Sequence, residues 1–147
     1  MKNIILITHG RFADGIIDSV KIIMGKLTNA KIDKITITSN ETILLVSKLL
    51  EEKISSFNND YPTIIFTDIA GGSTTQIAIK CLQNHGKQLL YLITGLNLAL
   101  LLEIINLELN ENDSENKEKL RNAINFSRTT INLVNDILEK ESYDNMI

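Results

Sequence analysis

The sequence predicts an α/β fold in which a doubly wound, mostly parallel four-stranded sheet carries helices on both faces. Apolar runs rich in β-branched residues alternate along the chain with segments whose apolar residues recur at helical spacing. The first such run, at residues 2–8, is rich in isoleucine, which is typical of a parallel strand buried on both faces. With 147 residues, the chain is expected to form one domain at 1–140, followed by a loose tail at 141–147.

The first part of the chain is predicted to contain two strands and two helices. The strand at 2–8 is followed by a helix at 14–24, and the second strand, at 34–38, is rich in β-branched residues. The second helix is expected to begin after Asn40, which is a suitable capping residue. The inner face of this helix is predicted to consist of Ile43, Val46, Leu50, Ile54 and Phe57.

The middle of the chain continues the alternation around a glycine-rich loop. A third strand is predicted at 63–66, and a fourth at 88–94. The helix between them is expected to begin at Ser73, because Ser73 and Gln76 match a capping box. The loop before this helix therefore connects the carboxyl end of a strand to a helix N-terminus.

The C-terminal part is predicted to be helical on either side of a polar connection. A helix at 98–106 is almost wholly apolar, which indicates burial, with another subunit as one of the surfaces that could cover it. Residues 108–119 are charged and rich in asparagine, and we expect them to form a solvated connection. A final helix is predicted from the spacing of Leu120, Ile124, Ile131, Val134 and Leu138.

The composition argues against several classes of partner. The net charge is −3, whereas nucleic acid-binding domains carry clustered positive charge, so we expect no nucleic acid partner. The single cysteine, Cys81, fits a reducing compartment and excludes an intrachain disulfide. No apolar run approaches the ~20 residues that span a bilayer. We therefore predict a soluble, cytoplasmic domain.

Three loops at the carboxyl ends of the predicted strands contain the candidate site. They hold His9, the segment from Asp68 to Ser73, and the segment from Gly95 to Asn97. In a doubly wound sheet, ligands bind beyond these ends, at the point where the strand order reverses. With the order 2-1-3-4, strands 1 and 3 are neighbours, and His9 and Asp68 come within reach of each other.

A histidine beside a carboxylate has defined chemical consequences. A carboxylate that accepts the proton of one imidazole nitrogen fixes the tautomer and leaves the lone pair of the other nitrogen free. Gly71, Gly72 and Ser73 follow Asp68, and backbone N–H groups at such a turn and helix N-terminus form an anion site. The pattern favours attack of His9 on phosphorus. Taken alone, His9 is equally compatible with a structural loop histidine whose ring is satisfied by the backbone.

Two motifs resemble those of the mannose-family IIA domain of the bacterial phosphoenolpyruvate-dependent sugar phosphotransferase system. They are Ile7-Thr8-His9-Gly10 after the first strand and Thr67-Asp68-Ile69-Ala70-Gly71-Gly72-Ser73 after the third. The similarity extends from Lys2 to about Leu138 in the order and spacing of the elements.

The resemblance implies a phosphoryl carrier that acts as a phosphotransferase. His9 is then the residue that accepts a phosphoryl group from the phosphocarrier protein HPr and passes it to a IIB domain, and Asp68 orients His9. Contact with the membrane would be indirect, through IIC and IID components, and no cofactor or metal is expected. The resemblance also implies a homodimer. It leaves open whether the residues after Ile131 are a helix or an antiparallel strand exchanged between subunits.

Three further residues at the same edge complete the candidate site, namely Gly10, Arg11 and Asn97. Arg11 stands where the resembled family often has an aromatic residue, and Ala99 stands where it often has a proline. We expect Arg11 either to help neutralise a phosphoryl group or to face solvent. Neither departure touches the His9 and Asp68 motifs themselves.

Other functional classes fit the sequence less well. A histidine phosphatase or mutase needs several arginines and a second histidine around the phosphate, and this chain offers only Arg11 and His85 outside the C-terminal helix. A metal chelatase would need further histidines or a cysteine cluster. Two alternatives stay open, a non-catalytic regulatory or binding module of the same fold and the phosphotransfer subunit of a dihydroxyacetone kinase.

Overall fold

The computed structural model describes residues 1–58, 60–85 and 89–146, in which strands and helices alternate and two further helices follow at the C-terminal end. The elements in chain order are β1 (Lys2–His9), α1 (Phe12–Met24), β2 (Ala30–Ile37), α2 (Ile43–Ser56), β3 (Thr63–Thr67), α3 (Ser73–Asn84), β4 (Leu90–Thr94), α4 (Leu98–Asn106), α5 (Asp113–Arg128) and α6 (Val134–Met146). Within these ranges, no helix is long and apolar enough to cross a membrane.

The four strands form one parallel sheet in the order β2-β1-β3-β4. This order confirms the predicted fold class and the predicted neighbourhood of the first and third strands. In the register of β1 and β3, Ile7 lies opposite Thr67. His9 and Asp68 follow these partners by two residues and one residue, so both emerge at the same edge of the sheet.

Helices cover both faces of the sheet because side chains of a strand alternate between the faces. Ile4, Leu6 and Phe66 belong to a core cluster that includes residues of α1, α4 and α5. Ile5 and Ile7 belong to a second cluster on the opposite face, together with residues of α2 and α3. Burial on both faces explains why the central strands are apolar over most of their length.

Helix α4 is buried within its own chain. Its bounds match the predicted range, and Leu100, Leu101, Ile104 and Ile105 all belong to the core. The apolar character of α4 is therefore accounted for by the sheet, α1 and α5, without a second subunit.

Truncation of the α4 core is expected to destabilise the fold strongly. Leu101 is fully buried, so Leu101→Ala should lower the free energy of unfolding by about 2–5 kcal/mol, through lost apolar burial and the cavity left behind. Urea unfolding monitored by circular dichroism measures the change. The matched control is Ile22→Ala, at a side chain that is 86% exposed, where we expect a change within about 0.5 kcal/mol. Equal stabilities of the two variants would contradict this packing.

The segment predicted to be a solvated connection is helical from Asp113 onward. Asn112 caps α5 by accepting a hydrogen bond from the Glu115 N–H at 3.1 Å. Asn116 is buried and donates to the Tyr91 hydroxyl on β4 at 3.1 Å. The asparagines of this segment therefore form caps and buried hydrogen bonds that their polarity alone did not reveal.

The predicted final helix is two helices, α5 and α6. The hydroxyls of Thr129 and Thr130 donate to the Phe126 and Ser127 carbonyls, both at 2.6 Å, and such local bonds compete with helix continuation. The residues after Ile131 then enter α6, so in this single chain they form a helix and not a strand.

The expected loose tail from residue 141 continues α6 as far as Met146. All α6 side chains that the structure describes are exposed. The segment is therefore helical but does not pack against the core of this chain. Ile147 lies outside the described residues.

Several predicted boundaries shift by a few residues. α1 begins at Phe12 instead of residue 14, and β2 covers Ala30–Ile37 instead of 34–38. Thr42, not Asn40, caps α2 by accepting from the Leu45 N–H, and this places Ile43 in the exposed first turn. Gln88, which was assigned to the fourth strand, lies outside the described residues, and the described strand begins at Leu90.

Candidate functional site

His9 is the last residue of β1, and its ring is exposed. The side chain is 45% accessible to solvent. Gly10, which follows, has a φ of 57°, in the left-handed region that glycine adopts at little cost, and its N–H donates to the Ile37 carbonyl at 2.8 Å. The chain thus turns sharply into α1 and leaves the imidazole at the sheet edge.

Asp68 holds His9 through one carboxylate oxygen. Asp68 Oδ2 accepts hydrogen bonds from the His9 backbone N–H at 2.8 Å and from the ring Nδ1 at 2.9 Å. Because an ionised carboxylate only accepts, the proton of the neutral ring lies on Nδ1 and the lone pair on Nε2. The structure therefore brings together the two residues that the sequence predicted to meet, and Asp68 makes no contact with Nε2.

The electrostatics of Asp68 favour its ionised form. The Asp68 side chain is only 12% exposed, and this burial raises the pKa of the carboxyl. The hydrogen bonds from the His9 backbone and ring, together with the attraction of the ring when it is protonated, outweigh burial, so the pKa of Asp68 lies below its usual range. Asp68 is therefore a stable anion beside a ring that becomes cationic when Nε2 forms a new bond.

The loop between β3 and α3 is open to solvent at its glycines. A Cβ added to Gly71 would meet no atom within 4 Å, and at Gly72 the nearest atom is at 3.6 Å. Neither residue has a positive φ. The fold therefore tolerates larger side chains at Gly71 and Gly72. Because neither residue has a side chain, the backbone of the loop stays accessible from solvent.

The first turn of α3 begins at this loop, where the Gly72 N–H donates to the Ile69 carbonyl at 3.4 Å. Gly72 is the N-cap, and no described side chain caps the helix. The predicted capping role of Ser73 is thus wrong, because Ser73 is already the first helical residue. Ser73 also contributes to the lining of a groove of about 660 Å³ between α2 and α3.

Three threonines around Asp68 were missed in the sequence analysis. Thr75 Oγ1 donates to the Ile69 carbonyl at 2.6 Å and lies 2.7 Å from Thr67 Oγ1. Thr74 Oγ1 donates to Asp68 Oδ1 at 3.4 Å. All three threonines are buried. Their signal in the sequence is the presence of hydroxyl side chains at the end of an apolar strand and the start of an apolar helix.

The other candidate residues have separate positions at the same edge. Asn97 caps α4, since its Oδ1 accepts from the Leu100 N–H at 2.9 Å and its Nδ2 donates to the Gly95 carbonyl at 3.3 Å. Arg11 precedes α1 and lines, together with Asn97, a cavity of about 500 Å³ between the starts of α1 and α4. The structure therefore gives Asn97 a structural role and leaves the guanidinium of Arg11 exposed.

Other reactive side chains lie away from this edge. Burial, together with the nearby Glu51, raises the pKa of the Cys81 thiol to about 12, as befits a core cysteine. His85 ends α3, with its Nε2 3.5 Å from a Glu51 carboxylate oxygen. Among the described residues, no group of three or more His, Cys, Asp or Glu side chains could hold a metal ion.

Three solved structures share this fold. The phosphotransferase system component EIIA from Streptococcus agalactiae superimposes with a TM-score of 0.78 at 22% identity, over 92% of this chain and 99% of that chain. The PTS IIA protein associated with the fucose utilization operon of Streptococcus pneumoniae gives 0.73 at 23% identity, over 94% and 97%. The mannose/sorbose specific IIA subunit of Enterococcus faecalis gives 0.73 at 24% identity, over 90% and 95%. None of the curated proteins matches the chain significantly.

A sequence model of a protein family identifies the family of this chain, whereas the solved structures show a shared fold. The model of EIIA-man, described as the PTS system fructose IIA component, matches residues 3–123. The matched segment contains β1 through most of α5, including His9, Asp68 and the glycine loop. The chain therefore belongs to the EIIA-man family and is a IIA component of the sugar phosphotransferase system.

Proposed function

We propose that the chain is a protein-histidine phosphoryl carrier, which accepts a phosphoryl group from phospho-HPr on His9 and passes it to a IIB domain. The observation that carries this proposal is the hydrogen bond from His9 Nδ1 to Asp68 Oδ2 at 2.9 Å. It leaves the Nε2 lone pair free on an exposed ring. In the forward step, a bond forms between Nε2 and phosphorus while the phosphorus–nitrogen bond of the donor phosphohistidine breaks, and the donor imidazole keeps that electron pair.

Asp68 and the glycine loop are proposed to stabilise the charges that this step creates. The ring of His9 gains positive charge as the new bond forms, and the ionised Asp68 carboxylate lies against its Nδ1–H. The N–H groups of Gly71, Gly72 and Ser73 at the N-terminus of α3 are the proposed donors to the phosphoryl oxygens. Gly72 would have to exchange its present bond to the Ile69 carbonyl, at 3.4 Å, for this contact. Arg11 is exposed two residues after His9, and we propose that it supplies a further positive charge.

The surface around His9 fits a protein donor. Exposed apolar side chains lie in the first turn of α1 (Phe12), in the first turn of α2 (Ile43 and Leu44) and in the turn after β3 (Ile69). All of these turns lie at the edge that bears His9, and exposed apolar patches are typical of protein interfaces. HPr and the IIB domain are the proposed partners, IIC and IID components are the link to the membrane, and the cytoplasm is the proposed location.

Phosphoryl uptake tests the proposal directly. The purified chain is mixed with phosphoenolpyruvate, enzyme I and HPr, and intact mass is measured against the same mixture without HPr. We expect a gain of about 80 Da that is lost in acid and kept in base, as for a phosphoramidate. Absence of this gain would leave the non-catalytic regulatory or binding module as the better description.

A homodimer is the second proposal, and the C-terminal segment supports it. Ile131, Leu133, Val134, Ile137 and Leu138 are all exposed, and burying them against a second copy would remove this apolar surface from water. Light scattering at micromolar concentration should therefore give about 33 kDa, twice the 16.5 kDa of one chain.

Variants of α6 check which surface forms the dimer. Ile137→Asp combined with Leu138→Asp should produce a monomer, because each charge would have to be buried in the apolar contact. Ile22→Asp, at an exposed residue of α1, is the matched control and should remain dimeric. A monomeric wild-type protein would contradict the proposal.

A further inference from the structure

The two carboxylate oxygens of Asp68 have different partners. Oδ2 accepts both N–H groups of His9, from the backbone and from the ring. Oδ1 faces the other way and accepts from Thr74 Oγ1 at 3.4 Å. Asp68 therefore connects the exposed imidazole to a hydroxyl that is itself fully buried.

The orientation of a carboxylate held by one oxygen alone is poorly determined. The terminal torsion of an aspartate is broad, so bonds to Oδ2 leave the plane of the group free to rock about that atom. A donor at Oδ1 restricts this motion and keeps the Oδ2 lone pairs directed at His9. At 3.4 Å this contact is longer than the usual O–H···O hydrogen bond of about 2.7–2.8 Å. We expect it to shorten as the His9 ring becomes cationic and draws charge to Asp68.

Thr74 is well placed to act as this donor. Its side chain is β-branched and has no exposed surface, so its rotamer is restricted by packing. It lies in the first turn of α3, and the next residue, Thr75, ties that turn to the Ile69 carbonyl at 2.6 Å. The hydroxyl of Thr74 is therefore presented from a fixed backbone.

We propose that Thr74 is a positioning residue for phosphoryl transfer, whose hydroxyl orients the Asp68 carboxylate and, through it, the Nδ1–H tautomer of His9. This inference rests on the proposed function, which it deepens by adding a third member behind Asp68. Thr74 is proposed to act through Asp68 alone. Its effect is expected on the reactivity of His9 and on the titration of Asp68.

Thr74→Val is the informative change, since it removes the hydroxyl and keeps the shape. We expect kcat/KM for uptake from phospho-HPr to fall by about 3- to 10-fold. Thr74→Ser retains the hydroxyl and should restore a rate near that of the wild type. If the valine variant does not fold, Thr74→Ala takes its place.

Nuclear magnetic resonance supplies a readout that loss of stability alone would not move. In Thr74→Val, the pKa of Asp68 should be higher than in the wild type, because one donor to the anion is lost, and the ¹⁵N shifts of His9 should report less of the Nδ1–H tautomer. Unchanged Asp68 titration and unchanged uptake in a folded Thr74→Val protein would overturn the proposal.

Thr75→Val is the matched control, because it removes a buried hydroxyl from the adjacent residue that bonds the loop backbone and not the carboxylate. We expect lower stability with an unchanged Asp68 titration. An equal shift of that titration in both valine variants would assign the effect to the loop and overturn the role of Thr74. If the wild type takes up no phosphoryl group, the proposed function fails, while the titration and the ¹⁵N shifts still decide whether Thr74 orients Asp68.

Discussion

His9→Ala is expected to abolish phosphoryl uptake from phospho-HPr. The proposed step forms a covalent bond to His9 Nε2, and alanine offers no atom that could replace this nucleophile. The His9 side chain is nearly half exposed, so the variant should keep its fold, which circular dichroism checks. Intact mass after incubation with phosphoenolpyruvate, enzyme I and HPr is the measurement, and the variant should show no gain.

The matched control is His85→Ala, the other histidine of the chain. His85 lies at the end of α3, whereas His9 lies at the carboxyl edge of the sheet. We expect uptake by His85→Ala at the wild-type level. A mass gain that persists in His9→Ala, or that maps to Ser73 or His85, would place the acceptor elsewhere and contradict the proposal.

Asp68→Asn is expected to slow uptake by about 10- to 1000-fold without abolishing it. An asparagine can present an amide to His9 Nδ1 and stabilise the tautomer in which Nε2 carries the proton, so the attacking lone pair is lost. It also removes the negative charge that lies beside the ring as it becomes cationic. The rate of HPr-dependent phosphorylation measures the effect, and the persistence of slow uptake distinguishes an orienting residue from the covalent acceptor.

Asp60→Asn is the matched control for this substitution, because Asp60 is an exposed loop aspartate. We expect it to leave the rate unchanged. Uptake at the wild-type rate by a folded Asp68→Asn protein would mean that Asp68 merely ends a strand, and the proposed chemistry would then lack its orienting group.

The pH dependence of stability gives a second measure of the same contact. The folded-state pKa of Asp68 lies below its usual range, despite burial, because of the bonds from His9. Asp68 therefore stabilises the fold at pH values above its unfolded pKa, and this contribution is lost as pH falls through the folded pKa. Asp68→Asn lacks the contribution, so the difference in unfolding free energy between wild type and variant should shrink with acid.

The order of elements along the chain, and the shared sheet edge at which His9 and Asp68 emerge, were predictable from the sequence. The apolar runs at 2–8 and 63–66 are typical of strands buried on both faces, and parallel strands bring their carboxyl ends to one edge. The order 2-1-3-4 was an assumption taken from similar folds, and the structure confirms it. Residues at the ends of adjacent strands then become neighbours whatever lies between them in the chain.

Contacts between buried polar side chains were not predictable in this way. The threonines at 67, 74 and 75 have no periodicity that marks them, and their bonds to Asp68 and to the Ile69 carbonyl depend on how α3 packs against β3. Asn97 was placed in the candidate site by its position, yet its amide caps α4. Whether a hydrogen bond forms depends on differences of a few tenths of an ångström in the donor–acceptor distance, and a pattern of residue types does not specify these.

In the C-terminal region, too, the sequence determined one property and the tertiary structure another. Its sequence determined that Ile131, Val134 and Leu138 need apolar partners, because their spacing is helical and their side chains are large. Only the tertiary structure decided that α4 finds its partners within the chain, whereas α6 stays exposed beyond the break at Thr129 and Thr130. Whether a side chain is buried depends on its contacts with other elements of the packed chain, and the local sequence does not specify those contacts.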